Sequence, residues 1–215
     1  MADGTWIEAG TVDTTKTVGN RMSNSWESVS FESSFSETPV VLSQIQTTNG
    51  APLMQTRYLA TSASSVLLAL ELQEQTTTQS VQETVGYFAI EPGTGTWSGL
   101  TYEAAVTSNA VTNAWYQVSY GRAFESAPSL LTSLSTYDSG DNSRVRYTNS
   151  SGTGVQLKVE EDTTFDSETS HTTEAVAFFA IGGEGRLTAP LPPIEVGEVG
   201  SITNLTHQAQ TIQLD

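Results

Sequence analysis

The sequence predicts an all-β protein made of two tandem antiparallel β-sandwiches of about six strands each. Three observations lead to this fold class. The composition is rich in Thr, Ser, Gln and Val, which favours strands and turns over helices. The two halves of the 215-residue chain repeat one another at a fixed spacing. In both halves, short alternating segments are separated by turn-forming residues.

The repeat defines the organisation of the chain. Trp26 lies in an Asn-x-Trp-x-x-Val-Ser-aromatic segment, and Trp115 lies in a second one, at an offset of 115 − 26 = 89 residues. Residues 26–70 match residues 115–159 at this offset without a gap, and after two inserted residues 83–90 match 174–181. The architectural unit is therefore one repeat.

The opening segment of each repeat occurs three times. Residues 7–12 match residues 102–107, and residues 194–199 show the same pattern after a Pro-rich stretch at 190–193. We therefore predict a first sandwich over 1–94 and a second over 95–189. Residues 190–215 would be a linker followed by the opening strand of an incomplete third repeat.

The polarity of the strand segments indicates which faces are covered. Residues 155–160 alternate strictly, as expected of a strand with one face on the core and one in water. Their counterpart, 66–72, is more apolar on the outer side, which predicts that something covers that side. The closing segments, 85–90 and 176–181, are apolar on both faces, so we expect either a central position or a subunit contact.

The repeat resembles H-type lectin domains. The resemblance rests on Gly10 in the opening strand, residues 29–31, the Pro-Val-Val-Leu segment at 39–42, Arg57 and the closing residues 87–91. It implies six-stranded antiparallel sandwiches that assemble as trimers, with glycan sites near the protomer boundaries.

Two positions depart from that family's pattern. Its sugar-contacting Arg would fall at Leu53 and Asn142, and the loops before the closing strands hold no clean match to its Trp-His pair. The family's specific sugar site therefore does not transfer to this chain.

The charge and the residue types argue against several function classes. With 8 Lys+Arg against 24 Asp+Glu, the formal net charge is −16, so we expect no nucleic-acid partner. Such an acidic surface with only two lysines predicts a halophilic source, or an ordinary acidic surface protein. His171 and His207 are the only histidines, and no phosphate loop or zinc spacing is present, so we expect no enzyme. The absence of a long apolar run predicts no membrane insertion.

The turns of the second repeat hold the best candidates for ligand contacts. Planar and carboxylate side chains bind sugars by stacking and by bidentate hydrogen bonds, although turns use Asp and Asn in any case. The expected partner is a cell-surface glycan or glycoprotein. The candidate ligand-binding residues are Tyr137, Asp138, Asp141, Asn142 and Arg144 in one turn, and Asp166, Glu168 and His171 in another.

No cofactor or dedicated metal site is expected. The turn carboxylates Asp138 and Asp141, with Glu160, Glu161 and Asp162 elsewhere, leave Ca²⁺ as an alternative without a full EF-hand loop. Residues that recur in both repeats are interpreted as framework or interface residues. They are Trp26 and Trp115, Arg57 and Arg146, Tyr58 and Tyr147, and Glu83 and Glu174.

Two functions follow from these expectations. The first is a non-catalytic adhesion or glycan-binding module of a surface-exposed fibre, either a viral host-attachment fibre or an extracellular repeat protein. The second is a purely structural subunit of a virion or filament that assembles through sheet faces and the C-terminal strand. Either protein would lie outside the cell or on a virion surface. The N-terminus shows no signal peptide, which fits release without the secretory route or a piece of a longer chain.

Overall fold

The computed structural model describes residues 4–78, 81–97 and 99–183, and it confirms the all-β fold class. Within these residues the chain forms fourteen strands and no helix. All strand pairs are antiparallel except one short parallel pair. No helix in this part of the chain is long and apolar enough to cross a membrane.

The strands of the first repeat form two facing sheets. They are β1 (Ile7–Thr14), β2 (Thr17–Val18), β3 (Glu27–Ser30), β4 (Val40–Ile45), β5 (Met54–Thr61), β6 (Ser65–Leu72) and β7 (Glu83–Ile90). One sheet has the order β1-β7-β4. In the other sheet β6 pairs with β3 and β5, and β2 runs parallel to the end of β6.

The second repeat reproduces this arrangement. Its strands are β8 (Gly93–Trp97), β9 (Leu100–Val106), β10 (Tyr116–Ser119), β11 (Ser129–Leu134), β12 (Ser143–Ser151), β13 (Gly154–Glu161) and β14 (Val176–Gly182). One sheet has the order β11-β14-β9-β8, and the other has the order β10-β13-β12. The linking strand β8 forms a hairpin with β9 and extends the sheet of the second repeat.

Strand register shows that the two repeats are structural equivalents. Ile7 pairs with Ile90, and Tyr102 pairs with Ile181. The sequence comparison matched Ile7 to Tyr102 and Ile90 to Ile181, so the same positions meet in both ladders. The repeat is also visible in backbone strain: Ala60 and Asn149, 89 residues apart, both adopt positive φ values, of 54° and 51°, where the strand register shifts.

Each sandwich has its own core between its two sheets. In the first repeat Phe31, Tyr58 and Leu68 belong to one buried cluster, and in the second repeat Tyr120, Leu157 and Phe178 belong to another. The side chains come from alternate positions along the strands because successive residues point to opposite faces.

A third apolar cluster joins the two repeats. It contains Val40, Leu42 and Ile90 from β4 and β7, and Tyr102 and Phe179 from β9 and β14. Phe88 lies at its edge, with its ring centroid 5.6 Å from that of Phe179. The closing strands are therefore apolar on both faces because one face lies in a core and the other lies between the repeats. The apolar outer faces that fitted a trimer are thus covered within the chain, and the trimer remains a prediction.

The outer side of β6 is also covered. Ala69 and Glu71, which point away from the first core, are both 0% exposed, and Glu71 is bonded to Asn142 and Ser143 of the second repeat. The apolar character of this side predicted a covering element, and that element is the following repeat. The Pro-rich linker and the opening strand of a third repeat, 190–215, lie outside the described residues.

Candidate functional site at the repeat junction

Arg57 is the central charged residue where the two repeats meet. Its side chain points out of the first sandwich from β5 and is 0% exposed. One guanidinium nitrogen lies 3.2 Å from Glu71 of the same repeat, and the other lies 2.6 Å from Glu174 of the second repeat. The guanidinium also donates to the Ser143 hydroxyl and to the Thr136 carbonyl, both at 3.0 Å. Arg57 therefore bonds both repeats at once.

Glu174 combines a turn-holding role with this ion pair. Its carboxylate accepts hydrogen bonds from the Thr136 hydroxyl and from the Asp138 N–H, the latter at 3.2 Å. Burial alone would raise the pKa of Glu174, but hydrogen bonding to His171 and the charge of Arg57 hold the pKa at about 2. Glu174 is therefore ionised.

Glu83 holds the corresponding turn of the first repeat. It accepts from the Thr47 hydroxyl at 2.5 Å and from the N–H groups of Asn49 and Gly50 at 3.2 and 2.5 Å. Burial opposes ionisation, yet these hydrogen bonds lower its pKa below the ordinary value. Both glutamates therefore hold a turn, and Glu174 in addition pairs with Arg57.

His171 extends the buried network toward the second repeat. Nδ1 lies 2.6 Å from Glu161, and Nε2 lies 3.3 Å from Glu174. Burial would lower the pKa of His171, but the two carboxylates raise it above its usual range. Because a carboxylate faces each ring nitrogen, the imidazolium form satisfies both contacts. His171 is 5% exposed, so it bridges carboxylates inside the protein.

Glu71 completes the pairing of Arg57. Burial raises the pKa of Glu71 to about 7, against the opposing effect of the Arg57 charge. The Gln55 amide donates to the Glu71 carboxylate at 2.8 Å, and the Ser143 N–H donates to it at 3.3 Å. Sequence analysis did not single out Glu71, although an acidic residue in the apolar run at 66–72 was a usable signal.

Tyr137 fixes the second-repeat turn on the first repeat. Its ring meets the Trp26 ring edge-on, with centroids 5.2 Å apart. The Arg57 guanidinium carbon lies 5.0 Å from the centroid of the same ring. Burial raises the pKa of Tyr137 to about 12, and the nearby Glu71 adds to the effect. An aromatic residue predicted to contact a ligand therefore packs against the preceding repeat.

The remaining residues of this turn also have protein partners. Asp138 accepts from the Asn109 amide at 2.5 Å, and Asp141 accepts from the Asn20 amide. Asn142 donates to the Glu71 carbonyl at 3.1 Å, and Arg144 lies 2.7 Å from Glu160. Two of these contacts, those of Asp141 and Asn142, cross to the first repeat. The turn is therefore part of the junction.

A small cleft of about 130 Å³ opens beside the buried network. Arg21, Glu74, Asp141, Phe165 and Asp166 all line it. The Arg21 guanidinium carbon lies 4.0 Å from the centroid of the Phe165 ring, which is 56% exposed. Burial raises the pKa of Glu74 to about 7, and the charges of Asp141, Asp166 and Asp162 add to the rise. Two of the predicted ligand-binding residues, Asp141 and Asp166, therefore line the same cleft.

The framework residues of the second repeat have different surroundings from those of the first. The Arg146 side chain is 58% exposed and lies 3.7 Å from Glu160. Trp115 is 47% exposed with the Lys158 ammonium 5.2 Å from its ring centroid, and Tyr147 is 51% exposed, whereas Tyr58 is 1% exposed. Identical residue types are thus buried in the first repeat and exposed in the second.

The carboxylates named for Ca²⁺ are separated by their partners. Glu160 pairs with Arg144, Glu161 pairs with His171, and Asp162 accepts from the Glu74 N–H. Among the described residues no group of three or more His, Asp or Glu side chains could hold a metal ion. The structure therefore gives the Ca²⁺ alternative no support.

Comparison of the sequence with known proteins identifies a relative. The chain is 25% identical to halomucin of Haloquadratum walsbyi, a halophilic archaeon, over 191 residues. The match covers 87% of this chain and 2% of halomucin. No family model matches the chain, and no solved structure gives a significant match. The resemblance to H-type lectins remains a prediction.

Proposed function

We propose that the chain is a non-catalytic structural module of a surface-exposed extracellular or virion protein, in which successive sandwiches are fixed to one another. One observation carries the proposal: the second-repeat turn at 136–143 is docked on the first repeat through Tyr137, Asn142 and the Arg57 contacts. Three of the candidate ligand-binding residues, Tyr137, Asp141 and Asn142, contact the first repeat instead. The histidine and glutamates of the network are buried and bonded to one another.

The location outside the cell is supported by the relative and by the charge. Halomucin is a surface protein of a halophilic archaeon, and its resemblance to this chain is compatible with an extracellular position. A net charge of −16 is tolerable in concentrated salt because counterions screen the self-repulsion. The chain spans about 2% of halomucin, which fits one segment of a much longer array.

Differential scanning calorimetry of the whole chain in concentrated NaCl tests the structural module. Fixed repeats unfold together, so we expect one transition whose calorimetric and van't Hoff enthalpies agree. Arg57→Ala removes the charged link between the repeats and is expected to split or broaden the transition. The matched control is Arg146→Ala, which leaves the junction intact. Two separate transitions in the unchanged chain would contradict the proposal.

A second candidate function is glycan binding at the junction cleft, and the exposed Phe165 ring beside carboxylates favours it. Sugars stack on aromatic faces and accept or donate hydrogen bonds at carboxylates. The test is calorimetric titration with oligosaccharides from surface polysaccharides in concentrated salt. Binding that disappears in Phe165→Ala and persists in Tyr147→Ala, an exposed aromatic outside the cleft, would establish this function. If no oligosaccharide gives a heat of binding, the glycan-binding function is ruled out and the structural module is the one proposed function that stays.

A further inference from the structure

The second repeat presents a sheet face of unusual charge that no other described repeat covers. We call it the outer face of the second repeat and define it by Trp115 immediately before β10, Arg144 and Arg146 on β12, and Lys158 and Glu160 on β13. Arg144 and Arg146 are more than half exposed, and Lys158 and Glu160 are about 28% and 29% exposed. Three of the 8 Lys+Arg residues of a strongly acidic chain thus lie on one face.

The first repeat has the same face, and there it is covered. At the offset of 89 residues, Trp115, Arg146 and Glu160 correspond to Trp26, Arg57 and Glu71. In the first repeat Arg57 and Glu71 are 0% exposed, and Trp26 packs edge-on against Tyr137 of the following repeat. The three residue types that the junction uses are therefore present again, without a covering repeat among the described residues.

We propose that the outer face of the second repeat is a docking surface for a further sandwich of the same kind, which packs on it as the second repeat packs on the first. Its turn would cover Trp115, as Tyr137 covers Trp26. Its equivalent of Glu174 would pair with Arg146, as Glu174 pairs with Arg57. This inference rests on the proposed function, because it takes the first junction as the pattern for the next.

Charge complementarity supports this occupant. The docking turn of the second repeat carries Asp138 and Asp141, and the segment beside it carries Asp162 and Asp166, so an occupant with the same turn would be acidic. Two positions of the first-repeat face, Gln55 and Ala69, become Arg144 and Lys158 in the second repeat. The uncovered face is therefore more basic than the covered one, which suits an acidic turn.

A second copy of this chain fits less well. The first repeat has Thr48, Pro52 and Leu53 where the second has Tyr137, Asp141 and Asn142, so its turn lacks the docking side chains. The second-repeat turn of another copy is already bonded to its own first repeat. A following repeat whose turn resembles that of the second repeat would have neither limitation, and residues 194–199 show the opening pattern of a further repeat.

The test lengthens the whole chain by one repeat. A second copy of residues 91–181 is inserted between Ile181 and Gly182. Ile181, the counterpart of Ile90, is then followed by Glu91, as Ile90 is in the original chain. The inserted copy can therefore reach the second repeat as the second reaches the first. Arg146→Gln is then placed in the original chain, in the second repeat of the lengthened chain, or in the inserted copy. The last position is the matched control because its outer face stays uncovered.

If the inserted repeat docks on the second repeat, Arg146→Gln lowers the unfolding midpoint by several degrees only when it is placed in the second repeat of the lengthened chain. A second measurement uses an arginine-selective dicarbonyl reagent on the lengthened chain with Arg146→Gln in the inserted copy. The remaining Arg146 should react about tenfold more slowly than in the original chain, because the reaction then requires local opening. Arg57 provides the protected reference within the same molecule.

Equal reaction rates of Arg146 in the original and lengthened chains, or equal effects of Arg146→Gln at all three positions, would overturn the inference. A response of Trp115 emission to an oligosaccharide without a response to lengthening would also overturn it. These failures are distinct from failure of the proposed function, which appears as two transitions in the original chain. If the first lengthened chain does not fold, a copy of 95–189 placed after Ala189 repeats the test.

Discussion

Arg57 and Arg146 occupy equivalent positions in the two repeats, and each lies beside an equivalent glutamate, Glu71 or Glu160. The first pair is 0% exposed at 3.2 Å, whereas the second is 58% and 29% exposed at 3.7 Å. In both sheets the central strand pairs with equivalent neighbours, β6 with β3 and β5 and β13 with β10 and β12, and the first sheet also contains β2. The difference arises from the neighbour, because the second repeat covers the first pair and no described residue covers the second in the same way.

The comparison shows how a neighbouring repeat changes the energetics of an ion pair. An exposed pair contributes little because water and salt screen it. A buried pair loses hydration, so it is tolerated only where each charged group has several partners. Arg57 meets this condition through Glu71, Glu174, the Ser143 hydroxyl and the Thr136 carbonyl, three of which come from the second repeat.

The largest expected effect is that of removing the buried arginine. Arg57→Ala leaves Glu71 buried without its cation and removes one of the two cationic partners of Glu174, and we expect a loss of about 3–5 kcal/mol in the free energy of unfolding. Arg146→Ala should cost below about 1 kcal/mol, because its pair is exposed. Urea denaturation of both variants at the same salt concentration measures the difference. Equal losses would contradict the contrast between the repeats.

The next effect concerns the two equivalent turns. Tyr137→Ala removes the contact with Trp26 and the ring beside Arg57, so we expect a loss of about 2 kcal/mol. Its counterpart Thr48 is exposed, and Thr48→Ala should change stability by no more than about 0.5 kcal/mol. The unfolding midpoint in urea provides the measurement. A silent Tyr137→Ala would show that the turn does not hold the repeats together.

The titratable groups of the junction affect the pH dependence of stability in opposite directions. Glu71 and Glu74, with pKa values of about 7, and His171, with a raised pKa, bind protons more readily in the folded state. The stability that Glu71 and Glu74 contribute is therefore lost as the pH rises through about 7, and that of His171 is lost as the pH rises through its raised pKa. Glu174, with a pKa of about 2, contributes stability above about pH 4.5 that is lost as the pH falls toward 2.

The unfolding midpoint is therefore expected to be highest near pH 5 and lower at pH 8. Glu74→Gln should reduce the decline between these two pH values, because it removes one of the titrating groups. Glu37→Gln, a change at an exposed carboxylate, is the matched control. A midpoint that rises from pH 5 to pH 8 would contradict the sign of these shifts.

The smallest effect concerns the equivalent bulges. Ala60 adopts a φ of 54°, where an alanine side chain is unfavourable, whereas Asn149 at the same place tolerates a φ of 51°. Ala60→Asn should therefore raise the free energy of unfolding by about 0.5–1 kcal/mol, and Asn149→Ala should lower it by a similar amount. Urea midpoints of the two variants decide whether the bulges are energetically alike.

Local sequence patterns predicted the features that depend on neighbouring strands. Alternation in 155–160 and the two-sided apolar segments at 85–90 and 176–181 identified strands, and the apolar outer side of 66–72 predicted a covering element. These features depend on how side chains alternate between the two faces of a strand, which is visible in a short segment of sequence. The register of the ladders was observed in the structure and was not predicted.

The junction could not be derived in the same way. Arg57-Tyr58 and Arg146-Tyr147 are identical in sequence, so the two dipeptides themselves do not show which arginine is buried. Glu174 lies 117 residues from Arg57, and their contact depends on how two whole sandwiches pack. Sequence analysis interpreted the turn at Tyr137 as a ligand contact, which stays a prediction, and it did not indicate that the Tyr137 ring packs against Trp26 of the first repeat.

The pairing of Ile7 with Ile90 and of Tyr102 with Ile181 has a mechanical consequence. The chain enters and leaves each repeat at the same end of a ladder, so tension on the chain would load its hydrogen bonds one after another. Such a ladder peels apart at low force. Resistance to stretching would therefore come from the contacts between repeats, and in an optical trap we expect Arg57→Ala to lower the rupture force.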